Sequence, residues 1–291
     1  MDTLQRYPNF KIVPAASADY DELTEFFSIA QISNRHLDWR KSIAWIDSQP
    51  FLKCYTGNDL VSVLVCPITG ENFVWIRSYS SMSLSFAENS WPVLFDNAVA
   101  HLRKSSISRI YTIALSPWFE KIINQSGFLT TDNIVTLRKE NNHYSPAELG
   151  TDFLIRDFLI EDLEQVAEVD HISFPPLWQI TREDLTQALE LSQNKSVVVT
   201  NSGRVIGYQI SSNIFTSGHI ARVAILPEYQ RHKIASALLD NLLLRFSSLG
   251  VTEITVNTSS DNIPAINLYL RHGFSHTQNN YPIYTLVLNN L

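Results

Sequence analysis

Residues 223–239 read VAILPEYQRHKIASALL, and the fold is decided by how this stretch is divided. Val223 to Leu226 is an apolar strand candidate, and Pro227 ends it because proline cannot donate to a central ladder. A polar loop follows and enters a helix without a break. From about His232 to Ser247, Ile234, Leu238, Leu242 and Phe246 recur every four residues, and Leu239 and Leu243 widen that stripe into a core-facing side. Gly250 closes the helix. The first amides of a helix have no internal partner, and the helix dipole is positive at that end. Gln230 through Ser236 can therefore form a nest for phosphate oxygens, with Arg231 and Lys233 adding charge to the same turn. The same letters also fit a surface turn leading into a core helix, and physics alone leaves both readings open.

Working outward, residues 196–200 are Val-rich and extended, Asn201-Ser202-Gly203 is a turn signal, and Arg204 to Ser211 resumes a strand, so a hairpin precedes the loop. Gly218 to Leu226 is the next strand. Beyond the helix, Ile254 and Val256 alternate with polar neighbours as one more strand, and Pro264 to Arg271 is a short helix closed by Gly273. This order gives an α/β or α+β mixed sheet with helices against it. The loop is not a dinucleotide or mononucleotide fingerprint: G-x-G-x-x-G and G-x-x-x-x-G-K-[ST] are both absent, as are H-E-x-x-H and G-x-S-x-G.

The chain has 291 residues, a length that suits two domains of about 140 residues. Its 22 Lys and Arg against 29 Asp and Glu give a net charge of −7, which argues against a nonspecific grip on nucleic acid or an anionic membrane. The two cysteines, Cys54 and Cys66, read as reduced core thiols, and the histidines show no metal spacing, so no metal is expected. No signal-peptide pattern and no long apolar run is found, which points to a cytoplasmic protein. Oligomeric state is not legible.

Residues 141–151 read as a linker between a domain at 1–140 and another at 152–291. The halves look alike. Each carries an acidic amphipathic helix, from about Asp19 to Ala30 and from Ile160 to Asp170. Each closes with a polar helix, a Gly-Phe pair (Gly127-Phe128, Gly273-Phe274) and a last strand, Ile134 to Leu137 in one and Tyr281 to Leu288 in the other.

The second half resembles the GCN5-related N-acetyltransferase family. That family's central motif is a strand ending V-x-x-P followed by Q/R-x-x-G/A-x-G/A; here Ile225 and Pro227 precede Gln230-Arg231-His232-Lys233-Ile234-Ala235. Its later motif is N-x-x-A, Leu-Tyr, Gly-Phe; here Asn262 and Ala265 precede Leu268-Tyr269 and Gly273-Phe274. Lys233 departs from the pattern, standing where a small residue is usual. The resemblance spans about 140 residues, a domain's length, and implies two tandem acyltransferase-like domains.

It further implies acyl transfer from acetyl-CoA, or another acyl-CoA, to a primary amine by direct attack in a ternary complex. The amine would belong to a small molecule or to a protein or peptide. Val223 and Ile225 would pair with the pantetheine arm. Gln230, Arg231, His232, Lys233, Ile234, Ala235 and Ser236 would hold the pyrophosphate, and Asn262 would bind cofactor or water. Tyr269 matches the general acid, and Phe174 and Trp178 the acceptor wall. His219 and Glu228 are both candidates for the base, and neither is favoured. The first half keeps Gly127-Phe128 but has Ile123 in place of Tyr269 and no Q/R-x-x-G-x-G pattern in its matching loop, roughly Ser81 to Trp91, so it is expected to be a degenerate, noncatalytic copy. An acyl-CoA-binding sensor without turnover, or a structural protein on the same fold, are the competing readings.

Overall fold

The structure, a computed structural model, describes residues 9–37, 39–140, 152–192 and 196–288. The linker expected at 141–151 lies outside them. The chain divides into two compact units, Met1–Asp132 with Tyr281–Leu291, and Asn133–Asn280.

The first unit runs β1 (Phe10–Pro14), α1 (Tyr20–Ile29), β2 (Ile32–Arg35), β3 (Phe51–Thr56), β4 (Asp59–Val65), β5 (Phe73–Trp75), β6 (Ser78–Ser81), α2 (Leu84–Leu102), β7 (Arg109–Ile113) and α3 (Pro117–Gln125), with the start of β8 (Leu129–Glu140). Its strands lie in the order β1-β3-β4-β6-β2, and β5 pairs in parallel with β7. One core packs Trp91, Leu94 and Leu102 of α2 against Leu64, Tyr79 and Phe119. A second packs Leu23 and Phe26 of α1 against Phe51, Val63 and Val65. Cys54 and Cys66 are free and buried, and burial pushes both thiols up to about 12.

The second unit runs from the rest of β8 through β9 (Phe153–Asp157), α4 (Leu163–Ser173), α5 (Arg182–Ser192), β10 (Val197–Asn201), β11 (Arg204–Ile214), β12 (Ser217–Ile225), α6 (Ile234–Ser248), β13 (Glu253–Ser259) and α7 (Ile263–Arg271) into β14 (Ser275–Val287). The strands β9, β10, β11 and β12 are successive antiparallel neighbours. β12 then pairs in parallel with β13, and β13 antiparallel with β8. Leu239, Leu242, Leu243 and Phe246 of α6 pack on Ile220, Ile254 and Val256. The apolar stripe read from the sequence is this buried face.

The Gly-Phe repeat has one physical cause in both units. Gly273 (φ +82°) and Gly127 (φ +82°) adopt the left-handed backbone that glycine tolerates best. After α7 the Phe274 N–H donates to Tyr269 O (3.1 Å) and the Gly273 N–H to Leu270 O (3.0 Å). After α3 the Phe128 N–H donates to Ile123 O (3.2 Å) and the Gly127 N–H to Asn124 O (3.2 Å). Each is a Schellman close, and the phenylalanine packs back onto the last turn.

Contiguous domains at 1–140 and 152–291 are corrected here. Ile134–Ser259 pairing places residues 134–140 beside β13 in the second unit. Residues 283–287 pair with β7 in the first. Each unit therefore takes its last strand from the opposite half of the sequence, and the boundary falls inside β8 and β14. Tyr284, buried in the first core, donates its hydroxyl to Glu120 Oε1 (2.6 Å).

A chain ending before Tyr281 is expected to lose the cooperative melt of the first unit, since Tyr284 and Leu288 leave its core. Expressing residues 1–140 alone should give a protease-sensitive product. A stable, cooperatively melting 1–140 fragment would contradict the exchanged last strand.

Candidate functional site

The ladder between β12 and β13 covers only Ser217–Ile220 against Glu253–Val256. On the other side, β12 pairs with β11 along its whole length, with an irregularity where Ile210 faces Arg222 and Ser211 faces Ile220. Ala221 is thus an extra residue, a bulge that bends the strand and increases its twist. The two parallel limbs part at this point, and no strand among the described residues pairs with 221–225 on the β13 side. Leu226 N–H donates to Ile206 O (2.9 Å). By the alternation of an antiparallel ladder, Arg222 and Ala224 also turn their backbone toward β11, and Val223 and Ile225 turn theirs to the open edge. Ile225 O accepts from Gln230 Nε2 (3.2 Å).

The open edge leads into the loop before α6. A 3-10 turn, Pro227–Tyr229, precedes it. Arg231 (φ +68°) and Lys233 (φ +62°) are both left-handed. This backbone costs a non-glycine residue about 1–2 kcal/mol, which is why the position of Lys233 suits glycine. Lys233 is the N-cap of α6 and its side chain makes no capping bond. Helical bonding starts with Ala237 N–H to Lys233 O (3.0 Å), so the amides of Ile234, Ala235 and Ser236 come before it. The Ile234 side chain is buried. Arg231, His232 and Lys233 are exposed. His232 turns Nδ1 back to Gln230 O (2.9 Å).

Tyr269 packs in the core cluster that also holds Ile220 and Val256, the last paired residues of the two limbs, and Val223 packs against that cluster. Its ring lies 5.6 Å from Phe274. Burial raises the phenol above its ordinary range, so it keeps its proton at neutral pH. Asn262 caps α7, its Oδ1 accepting from Ala265 N–H (3.3 Å).

The face of the sheet opposite α6 carries a group that sequence reading missed. The Asp170 carboxylate, on α4, accepts from Arg222 Nε (2.5 Å) and from the Tyr208 hydroxyl, and Arg222 Nε lies 3.0 Å from that hydroxyl. Arg222 Nη2 donates to Trp178 O (2.5 Å), and its guanidinium lies 3.7 Å from the Phe174 ring centroid. Ile180 N–H donates to Asp170 Oδ1 (3.1 Å). Phe174 and Trp178 are thus brought together by one buried cation standing on the strand that forms the fork. Burial and the neighbouring carboxylate hold the Tyr208 phenol protonated. The residues lie 38 and 52 positions apart, so no spacing could reveal them. The available signal was a charge inside an otherwise apolar strand.

His219 and Glu228 separate clearly. Glu228 is exposed in the 3-10 turn. His219 lies on β12 just before the bulge, half-buried, with Nδ1 2.9 Å from Thr255 Oγ1 on β13. Burial lowers its pKa from 6.5. Among the described residues no group of three or more His, Cys, Asp or Glu is gathered as metal ligands, and no helix is long and apolar enough to cross a membrane.

Residues 163–274 match the acetyltransferase (GNAT) family model. An N-alpha-acetyltransferase of Sulfurisphaera tokodaii is 24% identical over 148 residues, 46% of this chain and 87% of that one. Among solved structures, a GCN5-related N-acetyltransferase from Sphaerobacter thermophilus superposes with a TM-score of 0.61 at 15% identity, covering 96% of this chain and 95% of that one. A tandem GNAT protein from the clavulanic acid biosynthesis pathway gives 0.67 at 11% identity, covering 96% and 98%. The chain shares the mixed α/β fold of these solved structures, with a GNAT-like topology.

Breaking a buried ion pair from one side costs about 3–5 kcal/mol, because the other charge is left buried and unpaired. Asp170→Asn or Arg222→Met should each lower unfolding stability in urea by an amount of that order. The double replacement Asp170→Leu with Arg222→Met should cost less than either single change. A double variant as unstable as the sum of the singles would show that the pair does not act as a unit.

Proposed function

We propose that the second unit transfers an acetyl or other acyl group from acyl-CoA to a primary amine, by direct attack in a ternary complex. The observation that carries this is the continuity of the open edge of β12 with the uncapped N-terminus of α6. An amide-bearing pantetheine arm needs a strand edge at Val223 and Ile225, and a pyrophosphate needs several fixed donors with little side-chain volume. The residues from Gln230 to Ser236 present such donors in the order the molecule requires, and Asn262 flanks them. Lys233 offers its amide through the left-handed backbone that a glycine would adopt, and its exposed side chain lies clear of the buried wall.

The chemistry asks for a neutral amine, a route for its proton, and an acid for the departing thiolate. His219, at the head of the fork with a depressed pKa, is neutral at pH 7 and is the group we assign to the amine proton, directly or through water. Tyr269, protonated and buried, supplies the proton that the thiolate takes. Phe174 and Trp178, held by Arg222, form the wall beside which the acceptor lies. The name of the Sulfurisphaera relative, an N-alpha-acetyltransferase, makes an α-amine the first acceptor to screen. The first unit is read as a second GNAT-like domain in tandem, without a working site: Ile123 stands at the Schellman position that Tyr269 holds in the second.

Acetyl-CoA titrated calorimetrically into the full chain should bind. Binding without turnover of any amine would favour the sensor reading instead, and no binding to any acyl-CoA would remove the enzyme reading. With an acceptor in hand, Tyr269→Phe should lower kcat by about 100-fold or more, the usual scale of acid–base catalysis, and leave acetyl-CoA affinity unchanged. An unaltered kcat would refute the acid role. The folded pKa of His219 is depressed below 6.5. Its base form is therefore complete at neutral pH, and kcat/KM should fall only as pH drops through a value under 6.5. The His219→Ala variant should lack that acid limb.

A further inference from the structure

The two units share an order of elements, and the comparison exposes how the first one differs at its own fork. There β5 is parallel to β7 over Phe73–Trp75 and Arg109–Tyr111, as the first part of β12 is to β13. The strand then continues as β6, which leans away and pairs with β4 on one side. In the second unit the opposite edge of that limb is open. In the first it is taken by β2, antiparallel from Ile32 opposite Ser81 to Arg35 opposite Ser78.

β2 also reaches the far limb. Asn34, 1% exposed, donates from Nδ2 to Ile113 O (2.9 Å), the last residue of β7, and accepts at Oδ1 from Leu115 N–H (2.9 Å). Ser33 Oγ lies 2.8 Å from Ser80 Oγ. The start of the following helix is closed too. Ser83 is the N-cap of α2, and its Oγ accepts from Phe86 N–H (3.2 Å). That is one of the amides an anion would need.

We infer that β2 is a built-in occupant of the first unit's acyl-CoA groove, lying where a pantetheine arm would lie, so that this unit takes up no acyl-CoA and the chain binds one equivalent. β2 follows α1 directly, as the Phe174–Trp178 wall follows α4. One segment has therefore removed both the acceptor wall and the cofactor groove from the first unit. The inference rests on reading the open edge of β12 as that groove.

Hydrogen–deuterium exchange of the full chain, with and without acetyl-CoA, tests it together with equilibrium dialysis. Without ligand, the amides of 32–35 and 78–81 should exchange about 100-fold or more slower than an open chain, as paired strand does. Exchange of 32–35 at loop rates would overturn the inference by itself. With acetyl-CoA, added protection should fall on 221–236 and 262–269, with none on 78–86 and no change on 32–35, at one equivalent per chain. Protection at 78–86, or faster exchange at 32–35 with a second equivalent bound, would overturn it. Absence of any response at 221–236 would instead sink the acyl-CoA reading of the second unit, while slow exchange at 32–35 would still uphold β2 as the occupant of its own fork.

Discussion

A strand that leaves its parallel neighbour halfway must do something with the backbone groups it uncovers. Buried N–H and C=O groups need partners, and a fork in a sheet creates a row of them. Much of the structure follows from that constraint. In the second unit the extra residue at Ala221 starts the divergence, Val223 and Ile225 face the gap, and the gap opens onto the N-terminus of α6. In the first unit the equivalent row is satisfied from within by β2. The same architecture thus yields an open groove or a closed one, according to whether the segment after the first helix forms a wall or a strand.

The second constraint is the buried cation at Arg222. A guanidinium this far from water is tolerable only with a carboxylate and further acceptors around it. Asp170, the Tyr208 hydroxyl and Trp178 O supply them, and the Phe174 ring covers one face. Because Arg222 belongs to the forked strand and Asp170 to α4, the position of the wall is tied to the position of the open edge. Any shift of the wall would strand a buried charge. This makes the Phe174–Trp178 segment a fixed surface beside the forked strand, despite its lying between helices.

Local features are legible in the sequence where one residue's backbone preference or one periodicity decides. Pro227 ends the strand, the four-residue stripe marks α6, and the two Gly-Phe pairs mark identical helix closes. Lys233 stands out in the sequence for its bulk near a phosphate. The structure adds a second reason, the left-handed φ, that no composition argument could supply. The segment Ser81 to Trp91 reads as a loop, yet Leu84 onward is helix. Pro92 sits inside α2, and the proline and the scattered serines hide the apolar face made by Ala87, Trp91, Leu94 and Leu102. The Asp170 cluster and β2 are illegible because both depend on contacts far apart in the chain.

The last strands show why a repeat in sequence need not be a repeat in space. Ile134–Leu137 and Tyr281–Leu288 each begin shortly after a Gly-Phe pair, six positions past Phe128 and seven past Phe274, so each looks like the closing strand of its own half. A strand has no intrinsic address: its pattern states which face is apolar, and pairing geometry then selects the neighbour. In β14 the later residues find β7, where Tyr284 reaches Glu120 and Leu288 N–H reaches Ser108 O (2.8 Å). In β8 the later residues find β13, where Arg138 pairs with Glu253 (2.7 Å). Both halves of the sequence are consequently needed to complete either unit. The end of β14 accordingly belongs to the first unit and its beginning to the second, and no pattern within the strand marks the change.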